Sequence, residues 1–295
     1  MLRRLIASRS TPLLAAMVLV ALAAIVGQRL IAGSAFGKVT LFQLGTHTSG
    51  LPLQFPQAVT SEPQMLAYLK TLKPPHPPGT SRTYSNPGIG ILGLVSAQSL
   101  GGDFTSLVQE QLFPAISLSS TYLELPPNRL SDYAQGYSKT DQPVRMSPGL
   151  LAAETYGVRT TAADLTRWLE ANLGKLKLDP DWQRAILATH TGYARMGPMT
   201  QDLVWEQYPY PATLDALLAG NAQRIVFEAN PAVPISPPLA PRDDVLINKT
   251  GSTAGFASYV AFVPSKGIGV VLLANKAYPA EARIEAAYKI LQQLD

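Results

Sequence analysis

Cysteine is absent from this 295-residue chain. That excludes disulfides, thiolate metal sites and a cysteine nucleophile together. Histidine is scarce: His47, His76 and His190 stand far apart, without H-x-x-x-H or H-E-x-x-H spacing. No zinc centre is expected on that ligand supply, and no other cofactor is invoked. Charge is thin as well, with only 15% of residues Asp, Glu, Lys or Arg. Acid is missing altogether from residues 1–35, where Arg3, Arg4, Arg9 and Arg29 stand; these four account for the whole formal charge of +4. The rest of the chain is neutral, so it lacks the basic footprint of a nucleic-acid partner. No Gly-rich phosphate loop and no internal repeat occurs.

What is present begins with the N-terminus. MLRRLIASRS is basic, and TPLLAAMVLVALAAIVG (11–27) is apolar and uncharged, which is the layout of an export signal. The apolar run is near the shortest length that spans a bilayer. Anchoring in the inner membrane through residues 11–27, basic end in the cytoplasm, therefore stands beside cleavage at Gly33-Ser34-Ala35. Residues 1–37 are read as the targeting segment, residues 38–295 as the domain, and the periplasm as its location. A monomer is expected.

From Val39 onward the pattern is that of a folded domain, and 46% apolar content allows a sizeable core. Helices are predicted over 62–72, 88–100, 104–112, 161–173, 181–190 and 279–294. Thr160 or Thr161 is the expected cap of the fourth, and Leu165, Trp168, Leu169 and Leu173 share its apolar face. In the last, Ile284, Ala287, Leu291 and Leu294 share a face. Segment 122–150 reads as an irregular or short-strand insertion. VLINKTG, SYVAFVP and IGVVLLA are three apolar, β-branched runs, the last two joined by a hairpin-type Ser265-Lys266-Gly267 loop. The expected class is α+β: a three-stranded antiparallel sheet under a terminal helix, preceded by a mostly helical region.

Two short motifs carry chemistry. Lys249-Thr250-Gly251 ends one predicted strand, where a glycine lets a ligand backbone approach closely and Lys249 offers a charge for a carboxylate. On its own it is a surface strand with a lysine and a turn. Tyr84-Ser85-Asn86 opens a predicted buried helix. A phenol beside a lysine can act as general base or acid, and Asn86 can hydrogen-bond an amide. On their own, these read as a packed aromatic and a helix cap.

Together with LGTHTSGLPLQFP (44–56), YSNPGIGILG (84–93), SPGLLAAETYGV (147–158), Trp205-Glu206, NKTGSTAGFASYVAFVP (248–264) and LLANKAYPAEAR (272–283), the two motifs resemble the class C β-lactamases. These are serine cephalosporinases of β-lactamase/transpeptidase-like fold. The resemblance runs over residues 38–295, in matching order. It implies Tyr84 as general base/acid partner, and Lys249 with Thr250 and Gly251 as the wall that holds the substrate carboxylate and tunes Tyr84. It implies Asn86 and Gln54 at the acylamino side chain, the Ser252 N–H as half of an oxyanion hole, and Arg283 near the carboxylate end. His47 stands where the family usually has Tyr, Ala280 where Asn is common, and Asp202 and Val204 where it has glycines. The family's earlier part, with its S-x-x-K nucleophile motif, has no counterpart: no lysine here has Ser or Thr three residues before it. The expectation is thus an N-terminally truncated domain. Its reading is hydrolysis of the β-lactam amide of cephalosporins and penicillins through a serine acyl-enzyme. The alternative is an inactive remnant that binds β-lactam or peptidoglycan-like ligands, and a third is a related carboxylesterase or D-alanyl-peptidase.

Overall fold

The computed structural model describes residues 34–294. The run 11–27 lies outside them; among the described residues no helix is long and apolar enough to cross a membrane.

The helical region starts with α1 (Leu41–Gly45), capped reciprocally: Thr40 Oγ1 accepts the Gln43 N–H and Gln43 Oε1 accepts the Thr40 N–H. Next come α2 (Glu62–Thr71), the short strand β1 (Ser81–Arg82) and α3 (Asn86–Ser99). Ser85 caps α3, its Oγ accepting the Gly88 N–H at 3.0 Å, and Pro87 sits in the first turn where its missing N–H costs nothing. The apolar faces of these helices meet in one core of Phe36, Leu44, Leu51, Met65, Leu69, Ile91 and Val95. Phe36 falls within the segment read as targeting, yet it is buried here, so the packed chain starts ahead of residue 38. Cleavage after Ala35 leaves it in place.

The predicted helix over 104–112 continues through Phe113–Ile116, with Val108–Leu112 wound as a π-helix. Segment 122–150 holds only a 3-10 turn and two paired two-residue strands, Gly136–Tyr137 and Pro143–Val144. α4 (Ala162–Asn172) is capped by Thr161, and α5 (Pro180–Ala188) follows.

The sheet departs from expectation. It comprises β2 (Gly192–Met196), β3 (Met199–Gln201), β4 (Glu206–Pro209), β5 (Val233–Leu239), β6 (Val245–Ser252), β7 (Ala257–Val263) and β8 (Ile268–Ala274). The order is β8-β7-β6-β4-β3-β2-β5, seven strands and antiparallel throughout, not three. The four additional strands are short or proline-rich. β5 carries three prolines, which lack a ladder donor, and it is tolerated because it forms the sheet edge. The chain closes with α6 (Ala280–Leu294).

β7 explains the layering. Tyr259, Ala261 and Val263 point to α6, where they meet Ile284, Ala287 and Leu291. Val260 and Phe262 point to the opposite face, where they meet Ile247 and Leu169 of α4. A strand covered on both faces reads as an unbroken apolar run, as SYVAFV does. Leu294, grouped with the buried face of α6, is instead 54% exposed in the last turn.

Candidate active site

The Lys-Thr-Gly segment is a half-paired strand. β6 pairs with β7 from Ile247 to Ser252, but its ladder with β4 ends at Asn248, opposite Glu206. Along residues 249–252 no strand among the described residues occupies the second edge. Open backbone donors and acceptors next to a glycine are what an extended ligand needs for strand addition. Gly251 is required on the paired side: a Cβ there would lie 2.5 Å from Ser258 Oγ. Arg283 of α6 fixes this end of β6. It donates to Gly251 O at 2.7 Å, to Ser252 Oγ at 3.0 Å, to Pro279 O at 3.3 Å and to Ser258 O. Four of its five N–H groups are thereby engaged with protein acceptors.

Tyr84 stands beside that strand, its ring centroid 4.9 Å from Lys249 Nζ and 5.5 Å from Arg82 Cζ. Lys249 Nζ gives one hydrogen bond to Thr250 O at 3.0 Å. The His47 ring stacks on Tyr84 with centroids 4.3 Å apart. The His47 imidazole is held well below its usual range, first by burial and then by Arg82 and Lys249, so it is neutral. Tyr84, Asn86, Lys249, Thr250 and Gly251 are half-buried and Ser252 is exposed, the accessibility a binding wall requires.

Behind this wall lies a buried polar layer. Arg82 is fully buried, with every nitrogen used: Nη2 to Glu206 Oε1 at 2.7 Å, Nε to Gln201 Oε1 at 2.7 Å and Nη1 to Ile225 O at 3.0 Å. Asn248 Nδ2 donates to Glu206 O at 3.0 Å and its Oδ1 accepts from Asn221 at 3.3 Å. Asp202 is also buried, and neither carboxylate oxygen has a hydrogen-bond partner among the described residues. Burial pushes it up to about 9, Glu206 adds to the shift, and the adjacent Gln207 amide offsets only part, so it is a neutral acid at pH 7.

The structure thus brings Tyr84 and Lys249 together and places Thr250, Gly251 and Ser252 along the open edge. Asn86 is tied to the loop that carries Gln54: its N–H donates to Leu53 O at 3.1 Å, and Gln54 is exposed next to it. Arg283 lies at the same end of β6 but is committed to three backbone carbonyls and Ser252 Oγ. Trp205, beside Glu206 in sequence, is a core residue packed edge-on against Phe262 at 5.4 Å. Sequence reasoning gave no role to Arg82, Asn248 or His47. The alternation Arg82, Tyr84 in an extended segment is the one signal that places the arginine on the tyrosine's side.

A family model described as Beta-lactamase matches residues 14–295. A beta-lactamase of Lysobacter lactamgenus is 50% identical over 260 residues, which is 88% of this chain and 68% of that protein. One from Pseudomonas fluorescens is 48% identical over 264 residues, 89% of this chain and 74% of its own. Among solved structures, D-alanine carboxypeptidase AmpC from Burkholderia cenocepacia superposes with a TM-score of 0.87 at 51% identity, over 92% of this chain and 75% of that one. A class C beta-lactamase in complex with cefoxitin gives 0.88 at 44% identity, over 93% and 80%.

Proposed function

The chain belongs to the beta-lactamase family, and from that membership we propose that its site binds a β-lactam along the open edge of β6 and hydrolyses the lactam amide, in class C manner, through a serine acyl-enzyme. The half-paired Lys249–Thr250–Gly251 edge beside Tyr84 carries this reading. The substrate's acylamino group aligns with the free strand edge, with Asn86 and Gln54 at its side chain. Its carboxylate meets Lys249 and Thr250, whose charge and hydroxyl suit it. The Ser252 N–H stabilises the developing oxyanion. Tyr84, next to the Lys249 ammonium, is the group placed to take the proton of an attacking serine hydroxyl and return it to the leaving nitrogen; the family carries that serine in S-x-x-K, which is not among these 295 residues. Water then releases the acyl group. The relative solved with cefoxitin supports the substrate class.

One observation favours a second reading. The 295 residues contain no S-x-x-K, and the two serines at these motifs are engaged: Ser85 Oγ caps α3 and donates to Pro52 O, and Ser252 Oγ accepts from Arg283. In that reading the pocket binds a β-lactam without acylation. Purified protein mixed with a chromogenic cephalosporin decides. Multiple turnover with an acyl adduct by mass spectrometry supports hydrolysis. Saturable binding without ring opening supports the second reading, and neither binding nor turnover overturns both. Cleavage of a p-nitrophenyl ester or a D-alanyl-D-alanine peptide, with the cephalosporin untouched, points to a peptidase or esterase.

The basic start and the apolar run 11–27 support export to the periplasm, cleaved or anchored in the inner membrane, with the domain acting as a monomer. Alkaline extraction of membranes and light scattering of the purified chain test these two points.

A further inference from the structure

His47 meets the Tyr84 segment at three points. Its carbonyl accepts the Thr83 N–H at 2.9 Å, its Nδ1 accepts the Ser85 N–H at 3.2 Å, and its ring stacks on Tyr84 between them at an interplanar angle of 29°. The residue is fully buried and holds a left-handed φ of 59°. That backbone region is sparsely used by side-chain-bearing residues, although His, Asn and Asp are enriched there. The turn after α1 therefore keeps a strained conformation that aims this one ring. With Nδ1 accepting, the neutral ring's proton is on Nε2, which is buried without a partner among the described residues. The charged groups that face it are Arg82 and Lys249, both cationic. A buried polar ring that gives up a hydrogen bond and accepts backbone strain to remain stacked on Tyr84 requires a reason beyond filling space.

We propose that His47 is the positioning residue for Tyr84, bracketing its backbone on both sides and fixing the phenol ring in register with Lys249 Nζ for proton transfer. This rests on the reading of Tyr84 as the base in β-lactam opening, and one of its two tests is independent of that reading. His47→Asn tolerates the left-handed backbone and keeps an acceptor for Ser85, but removes the ring. His47→Phe keeps a ring and removes the acceptor.

The first test is the nuclear Overhauser effect between the Tyr84 ring protons and the Lys249 ε-methylene, assigned through its absence in Tyr84→Leu. It needs no turnover. It is expected in the native protein and lost in His47→Asn, with the spectrum of the β7 and α6 core unchanged. Retention at native strength in both variants overturns the proposal. The second test is steady-state hydrolysis of a chromogenic cephalosporin. A displaced base lowers kcat on the order of 10²-fold in His47→Asn, with KM within about twofold. A native kcat in that variant overturns the proposal. Absence of turnover in the native chain sinks the proposed reaction instead, and the Overhauser comparison then decides the positioning role alone.

Discussion

Arg82 and Glu206 form a buried ion pair, Nη2 to Oε1 2.7 Å, that joins the two walls of the site. Arg82 lies in β1, two residues before Tyr84, and Glu206 opens β4, opposite Asn248 and one residue from Lys249. The pair thus sets the spacing between the phenol and the open edge of β6. Removing one partner of such a pair leaves a buried charge unmatched, which costs about 3–5 kcal/mol. Arg82→Met is expected to fall in that range by urea denaturation. Glu206→Gln keeps a neutral acceptor and is expected to cost about 1–3 kcal/mol. An Arg82→Met variant within about 1 kcal/mol of native stability would contradict the role given to the pair.

Stability is expected to peak near pH 6.5, and Asp202 sets its alkaline side. The folded carboxyl is pushed up to about 9 from 3.8, so between those values the native state holds a proton that the unfolded chain has lost. Stability therefore falls as pH rises through this window, by up to about 1.4 kcal/mol per unit. His190, lowered by burial to about 4, and His47, lowered well below 6.5, act with the opposite sign. Each is neutral when folded and protonated when unfolded, so its contribution is lost as pH falls below 6.5. Glu154, raised by burial from 4.5, works with Asp202 just above its unfolded value, so the histidines carry the acid side nearer 6.5, where Asp202 takes over. Urea midpoints measured from pH 5 to 9 should show the alkaline decline, and Asp202→Asn should flatten it. An equally steep decline in Asp202→Asn would refute the assignment.

The contrast between β7 and β5 shows what was legible in the sequence. SYVAFVP is apolar on every residue that both α4 and α6 cover, so its strand is plain. VPISPPL, with three prolines and its first and middle residues facing solvent, carries no strand signal, and its place in the sheet comes from pairing with β2. Tyr84 and Lys249 were identifiable because a phenol and an ammonium at Y-x-N and K-T-G spacing announce their chemistry. Arg82 was not: a lone arginine in SRTY reads as a surface residue until Gln201, Glu206 and Ile225, each more than a hundred residues away, close around it. Long-range partners of that kind leave no local pattern to read.

Val204 should be improved by glycine. It holds a left-handed φ of 73°, between β3 and β4, where its N–H donates to Gly45 O at 2.9 Å. A β-branched residue in that region is a steric outlier, costing about 1–3 kcal/mol. Glycine relieves this and gives back about 0.4–1 kcal/mol through a freer unfolded chain. Val204→Gly is expected to raise the unfolding free energy by about 1 kcal/mol, read as a higher urea midpoint. A lower midpoint would show that the valine side chain contributes packing that outweighs its backbone cost.

Arg283 separates two ways of serving the same site. A direct contact with the substrate carboxylate predicts that Arg283→Ala raises KM for anionic substrates, in a salt-dependent way, and leaves the melting temperature alone. The hydrogen bonds to Gly251, Ser258, Ser252 and Pro279 predict otherwise. Truncation strands half-buried carbonyls at the end of β6, at a cost of about 1–3 kcal/mol, and loosens the strand edge. Thermal stability and substrate affinity should then fall together. Arg283→Lys should recover the smaller part of both, because a single ammonium cannot span acceptors that a planar fork reaches at once. Thermal melts and KM values for the two variants, at low and high salt, distinguish the cases. A melting temperature unchanged in Arg283→Ala, with a salt-dependent KM, would return Arg283 to direct carboxylate binding.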